Sequence, residues 1–136
     1  MHALTVGEMM TTQVRTLRKD ETLIAADWDM VVGGFRHIPV VDQEHHLIGL
    51  VSDLDVVKGG DTNRSVASAM TRDVHTVGPK TSALEALEYL LMAKQTALPV
   101  VDDDRTLLGI VTATDFLELA RRALVGLDIH TPHVRG

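Results

Sequence analysis

The sequence predicts an α+β fold in which two β-α-β-β-α repeats pack sheet to sheet about a pseudo-two-fold axis. Three observations carry this reading. First, "HIPVVDQEHHLIGLVSDLDVV" (His37 to Val57) returns sixty residues later as "ALPVVDDDRTLLGIVTATDFL" (Ala97 to Leu117), with eight of 21 positions identical. Unrelated segments of ordinary composition would share about one or two. Second, in each copy a capped helical stretch precedes two apolar, β-branched runs. Third, a three-stranded unit of about 55 residues cannot bury its apolar face alone, whereas two such units facing each other can.

The elements follow in order. Thr5 and Ser65 read as N-caps of a short opening turn, and an extended stretch follows around Thr16 and Thr76. In the second copy a helix opens on the capping box Ser82-Ala83-Leu84-Glu85, with Leu84, Leu87 and Leu91 on one face. In the first copy Thr22 starts the equivalent helix and Gly33-Gly34 stop it. "HIPVV" and "LIGLVS", then "ALPVV" and "LLGIVT", read as hairpin strands joined by the polar turns "DQEHH" and "DDDRT". Pro39 and Pro99 fit a strand start or edge, where no ladder donor is needed. A last helix starts near Asp55 and near Asp115. It is short in the first copy, ended by Gly59-Gly60, and runs to about Val125 in the second.

The same offset aligns Thr5-Val6 with Ser65-Val66, Met10-Thr11 with Met70-Thr71, and Val14, Thr16 and Ala26 with Val74, Thr76 and Ala86. The duplication therefore covers about 5–58 and 65–118. It predicts repeats over 1–62 and 63–125, joined through "GGDTN", and a tail over 126–136 without periodicity, expected to be mobile.

Composition narrows the function. Thirteen basic and nineteen acidic residues give a net charge of −6, and no Lys/Arg run exceeds two residues, so the footprint of a nucleic-acid binder is missing. Aromatic residues make up 3%, too few for base-stacking platforms, and leave the core aliphatic. With no cysteine there is neither a disulfide nor a thiolate site. "MHALTVGEMM" lacks the features of a signal peptide, and no apolar run is long enough to span a bilayer. A cytoplasmic protein without membrane or nucleic-acid partners is expected.

Together the repeat starts "EMMTTQVRTL" and "SAMTRDVHTV", the centres "HIPVVD" and "ALPVVD", and the ends "GLVSDLD" and "GIVTATD" resemble the paired cystathionine-β-synthase-type (CBS) domain, or Bateman module. The resemblance covers about residues 5–120. It implies a regulatory module that binds an adenosine-containing ligand (AMP, ADP, ATP, with or without Mg, or S-adenosylmethionine) between the repeats. It also implies a disc-shaped homodimer. No effector domain is expected within the chain, so the signal would pass to a partner protein, as a ligand-driven shift between two arrangements of the repeats.

The residue chemistry is compatible with this. A hydroxyl and backbone N–H groups at a strand-to-helix junction attract an anion, because a helix N-terminus is partially positive. An Asp three residues after the hydroxyl can accept from both ribose hydroxyls, as acidic residues do in dinucleotide folds. Carried over from the family, one cleft joins Thr112, Thr114 and Asp115 to Thr11, Arg36 and His37. The other joins Ser52 and Asp55 to Thr71, Thr96 and Ala97. They are unequal: the second has Leu54 in place of Thr114, Ala97 in place of His37, and an added acid, Asp53. It is expected to stay empty or to take a ligand of little negative charge. His37 titrates near neutral pH, which predicts phosphate binding that weakens as pH rises.

Plainer roles stand beside these. Asp55 and Asp115 also read as helix caps, Thr11 and Thr71 as local caps, Thr112 and Ser52 as strand ends, and Arg36 as a surface charge. His45-His46 and Asp102 to Asp104 read as solvated turns, and no His/Asp/Glu set has metal-ligand spacing. The methionines Met9, Met10, Met30, Met70 and Met92 read as core filler or dimer surface, and Trp28 as core or interface anchor. No nucleophile–base set, Gly-rich phosphate loop or carboxylate pair marks an enzyme. The rival reading is a dimeric interaction scaffold with degenerate clefts that bind no nucleotide.

Overall fold

A computed structural model describes residues 2–93 and 95–130. Each repeat folds its doubled phrase into one antiparallel hairpin: β1 (His37–Val41) with β2 (Leu47–Ser52), and β3 (Ala97–Val101) with β4 (Leu107–Thr112). The registers obey the sixty-residue offset. His37 pairs with Ser52 as Ala97 pairs with Thr112, and both ladders shift before their last pair.

The third strand expected around Thr16 and Thr76 shrinks to single parallel bridges, Leu17 to Val40 and Val77 to Val100. The physical reason lies at both ends of each bridge. Extending it backward would require an N–H from residue 39 or 99, and both are proline. Forward, the Arg18 N–H is taken by the Glu21 carboxylate at 2.7 Å and the Gly78 N–H by the Thr81 hydroxyl at 3.1 Å, so the chain turns away. Pro39 and Pro99 thus stand inside paired strands, with the missing donor on the side where the sheet ends.

The helices begin where their caps predict. The Thr22 hydroxyl accepts from Ala25 N–H at the start of α2, and Gly34 closes it in the left-handed region at φ 71°. In order, the helices are α1 (Val6–Met9), α2 (Leu23–Gly33), α3 (Asp53–Gly59), α4 (Val66–Ala69), α5 (Ala83–Met92) and α6 (Ala113–His130). The Ser82 hydroxyl accepts from Glu85 N–H at the start of α5. Gly126 does not stop α6, which passes through it to His130, since a helix-interior Gly costs only about 1 kcal/mol. Of the tail, residues 126–130 are therefore helical, and 131–136 lie outside the described residues.

The opening helices are exchanged. Val6 of α1 is fully buried in the second repeat's core with Val77, Ala86, Leu98 and Val111. Val66 and Met70, at α4, complete the first repeat's core around Leu17, Leu23, Ile38 and Val51. Backbone bonds fix the exchange: Val6 N–H to Thr81 O and Gly7 N–H to Pro79 O (both 2.8 Å), and Val66 N–H to Glu21 O (2.7 Å). Between the repeats, Leu50, Val74, Ala97 and Ile110 pack together, as do Val41, Leu47, Val101 and Leu107. The hairpin turns join across the axis through Leu47 N–H to Arg105 O and Leu107 N–H to His45 O, both 3.0 Å. Those strand ends set the geometry of two clefts.

Candidate functional site

Each strand-to-helix junction is tied by the Asp three residues after the hydroxyl, reciprocally at Ser52 and Asp55 and one way, from Thr112 to Asp115, at the other. At the end of β4 the Asp115 Oδ2 accepts from Thr112 N–H (2.8 Å) and from the Thr112 hydroxyl (3.3 Å). At the end of β2 the Asp55 Oδ2 accepts from Ser52 N–H (2.8 Å), and the Ser52 hydroxyl accepts from Asp55 N–H (3.1 Å). Capping and ligand binding are thus compatible, because one carboxylate oxygen does the capping. Among the described residues, neither Asp115 Oδ1 nor Asp55 Oδ1 has a hydrogen bond of its own. The segment before each first hairpin strand crosses to the start of a helix. Arg36 O accepts from Asp53 N–H (2.9 Å), and Thr96 O accepts from Ala113 N–H (3.1 Å).

The first cleft, of about 620 Å³, is lined by all six residues expected of it: Thr11, Arg36, His37, Thr112, Thr114 and Asp115. Thr11 is delivered from the first repeat by its two-way backbone bridge to Ile110 of β4, 3.0 Å in each direction. The second cleft, about 420 Å³, is lined by Ser52, Asp55, Thr71 and Thr96, together with Asp53 and Leu54. Ala97 departs from expectation: it is fully buried in β3 and does not line the cleft. A small apolar residue at a strand start between two hairpins packs inward, against Leu50 and Ile110.

Sharing was not anticipated. His37 and Thr96, assigned to different clefts, line both, and Thr96 Oγ1 lies 2.9 Å from His37 Nε2. Burial pushes the His37 pKa below its ordinary value; Asp53 and Asp55 oppose this, and Arg36 reinforces it. Its protonation therefore falls on the acid side of about 6.5. This corrects the neutral-pH window expected for phosphate binding at His37.

Sequence reasoning also missed the strap Gln13, Val14 and Arg15, and Gly34-Phe35, in the first cleft, and Gln95 in the second. Arg15 left a faint signal inside the repeat start "EMMTTQVRTL", and Gln95 as a polar residue shortly before "ALPVVD". The first cleft carries Arg15 and Arg36 against Asp115, while the second carries Asp53 and Asp55 with no Lys or Arg among its described lining residues. Elsewhere the turn residues behave as turns: Asp42 Oδ1 accepts from Glu44 and His46 N–H, and Asp102 Oδ1 from Asp104 and Thr106 N–H, all at 2.9 Å. Met30 and Met70 are buried, whereas Met92 and Trp28 stand exposed on helices. Among the described residues no cluster of three His, Asp or Glu is placed to hold a metal.

A doubled α+β unit with paired clefts between its halves defines a tandem-repeat architecture. The chain belongs to the CBS domain family, whose model matches residues 6–60 and 66–122. It is 33% identical over 111 residues to the inosine-5'-monophosphate dehydrogenase of Methanocaldococcus jannaschii, a match covering 82% of this chain and 22% of that enzyme's length. A putative acetoin utilization protein from Vibrio cholerae superposes with a TM-score of 0.84 at 30% identity, covering 97% of this chain and 100% of that one. CBSX2, solved with AMP, gives 0.81 at 27% identity, covering 88% and 98%. The CBS domain pair of protein MJ0100, solved with 5'-methylthioadenosine and S-adenosyl-L-methionine, gives 0.79 at 25% identity, covering 85% and 98%. CBS pairs of this fold thus include proteins solved with adenosine compounds.

Proposed function

We propose that this chain is a non-enzymatic regulatory module that binds an adenosine-containing ligand in the first cleft, with Asp115 holding the ribose. The observation that carries this is the convergence of Thr11, Arg36, His37, Thr112, Thr114 and Asp115 on one cleft, where Asp115 keeps an oxygen uncommitted to its cap. Arg36 and the N-terminal turn of the 18-residue α6 supply the positive pole for phosphate. The relatives solved with AMP and with S-adenosylmethionine support the ligand class: AMP, ADP or ATP, with or without Mg, or S-adenosylmethionine. In the second cleft Asp53 and Asp55 disfavour phosphate, so that cleft is the weaker site.

A ligand touching both repeats favours one arrangement of them, and can bias it only as far as its affinities for the two arrangements differ. The readout would be a homodimer surface presented to a partner protein in the cytoplasm. Exposed Trp28, Val31 and Val32 on α2, and Leu91 and Met92 on α5, support such a surface. No described helix is long and apolar enough to cross a membrane. The scaffold reading draws its support from those same exposed faces and from the acidic second cleft.

Calorimetric titration of AMP, ADP, ATP and S-adenosylmethionine into ligand-free protein, with Asp115→Ala alongside, tests the proposal. Saturable binding that the variant loses is expected. No binding at millimolar ligand would leave the scaffold.

A further inference from the structure

Sixty residues apart, the two repeats fasten the same strap to the same helix with different chemistry. In the first, Arg15 donates from Nε (3.0 Å) and Nη2 (2.9 Å) to the two carboxylate oxygens of Asp29 on α2. In the second, the equivalent positions are His75 and Tyr89, whose rings stack with centroids 3.8 Å apart and planes 12° apart. Fastening the strap therefore does not in itself require a guanidinium. Arg15 also lines the first cleft, whereas His75 does not line the second.

The pair is lopsided in a way that suits a ligand. The Arg15 side chain is 61% exposed, while that of Asp29 is 14% exposed. Asp29 grips one edge of the guanidinium with two of its five N–H groups, leaving three without another bond among the described residues. The bidentate grip of a largely buried carboxylate fixes the guanidinium plane, and the guanidinium can still donate to a second anion from its free edge. Arg36 and the start of α6 already offer one anion pole; Arg15 adds a second from the strap, a different wall of the same cleft.

We propose that Arg15, pre-oriented by Asp29, is a specificity-determining residue of the first cleft that engages a second phosphate, so that the cleft favours a nucleoside di- or triphosphate over the monophosphate. This rests on the reading of that cleft as a nucleotide site.

AMP and ADP are titrated by calorimetry into the wild-type chain, Arg15→Gln and Arg15→Lys, with melting curves to confirm that each variant folds. One charge-assisted hydrogen bond more for ADP predicts a wild-type preference of about tenfold over AMP. Arg15→Gln should erase that preference by weakening ADP while AMP stays within about twofold. Arg15→Lys, which keeps a cation beside Asp29 but not the fork, should retain part of it, and serves alone if the Gln variant does not fold. Equal weakening of both nucleotides would make Arg15 a strap fastener only and overturn the proposal. So would a wild type without ADP preference, even while its AMP binding upholds the nucleotide site. Loss of both nucleotides in the wild type would instead overturn the site itself, and this proposal with it.

Discussion

Thr96 Oγ1 and His37 Nε2, 2.9 Å apart, form one wall common to both clefts. The two residues come from neighbouring places in the two repeats: His37 is the first residue of β1, and Thr96 immediately precedes β3. The pseudo-symmetry thus brings a hydroxyl against an imidazole instead of pairing like with like.

Burial of that imidazole gives the fold a pH dependence with a definite sign. His37 has a native pKa below its unfolded value of about 6.5, chiefly through desolvation, so the native state favours the neutral ring. Its contribution to stability is fully present above about pH 6.5 and is lost as pH falls through the depressed native pKa. The melting temperature should therefore fall between pH 7 and pH 5, and His37→Gln, which keeps a hydrogen-bonding side chain, should flatten that fall. Thermal denaturation of both proteins across that range checks it; parallel curves would assign the acid sensitivity to other groups.

The two caps separate stability from binding. Asp55 and Asp115 make the same 2.8 Å bond to the preceding cap residue's N–H, so Asp55→Ala and Asp115→Ala should each lower the unfolding free energy by about 1 kcal/mol. Ligand affinity should respond only to Asp115→Ala, because Asp55 faces the acidic cleft. Urea denaturation measures the first effect and calorimetry the second. Equal loss of affinity in both variants would show that Asp115 acts on binding only through the helix it caps.

The hairpins and the caps at Thr22 and Ser82 were legible because the duplication marks them twice, and the six residues carried over to the first cleft came from the family resemblance. Among the features that were not legible, three have a plain physical reason. The exchange of α1 and α4 is invisible in a repeat, since Val6 and Val66 carry the same apolar signal whichever core they enter. The missing third strand depends on what Pro39 and Pro99 deny to a neighbour; the sequence places them at a strand start or edge, and the edge placement is what stops a further strand from pairing there. Ala97 was carried into the second cleft by alignment with His37, but a methyl group there has every reason to turn into the core.

The doubled Leu-x-Gly is the remaining mark, and its glycines have a steric purpose. A Cβ on Gly109 would lie 2.6 Å from the Thr11 carbonyl oxygen and 2.8 Å from Met10 Sδ; on Gly49 it would lie 2.6 Å from Met70 Sδ and 3.1 Å from the Thr71 carbonyl oxygen. A thioether can swing aside, but a carbonyl held in a backbone bridge cannot without breaking it. Gly109→Ala should therefore cost about 1–3 kcal/mol, with Gly49→Ala at or below the low end of that range. Because the displaced carbonyl belongs to Thr11, Gly109→Ala should also weaken nucleotide binding in the first cleft, and Gly49→Ala should leave it intact. Melting curves and calorimetry on the two variants decide this, and a Gly109→Ala protein with wild-type affinity would remove the Thr11 bridge from the factors that shape the cleft.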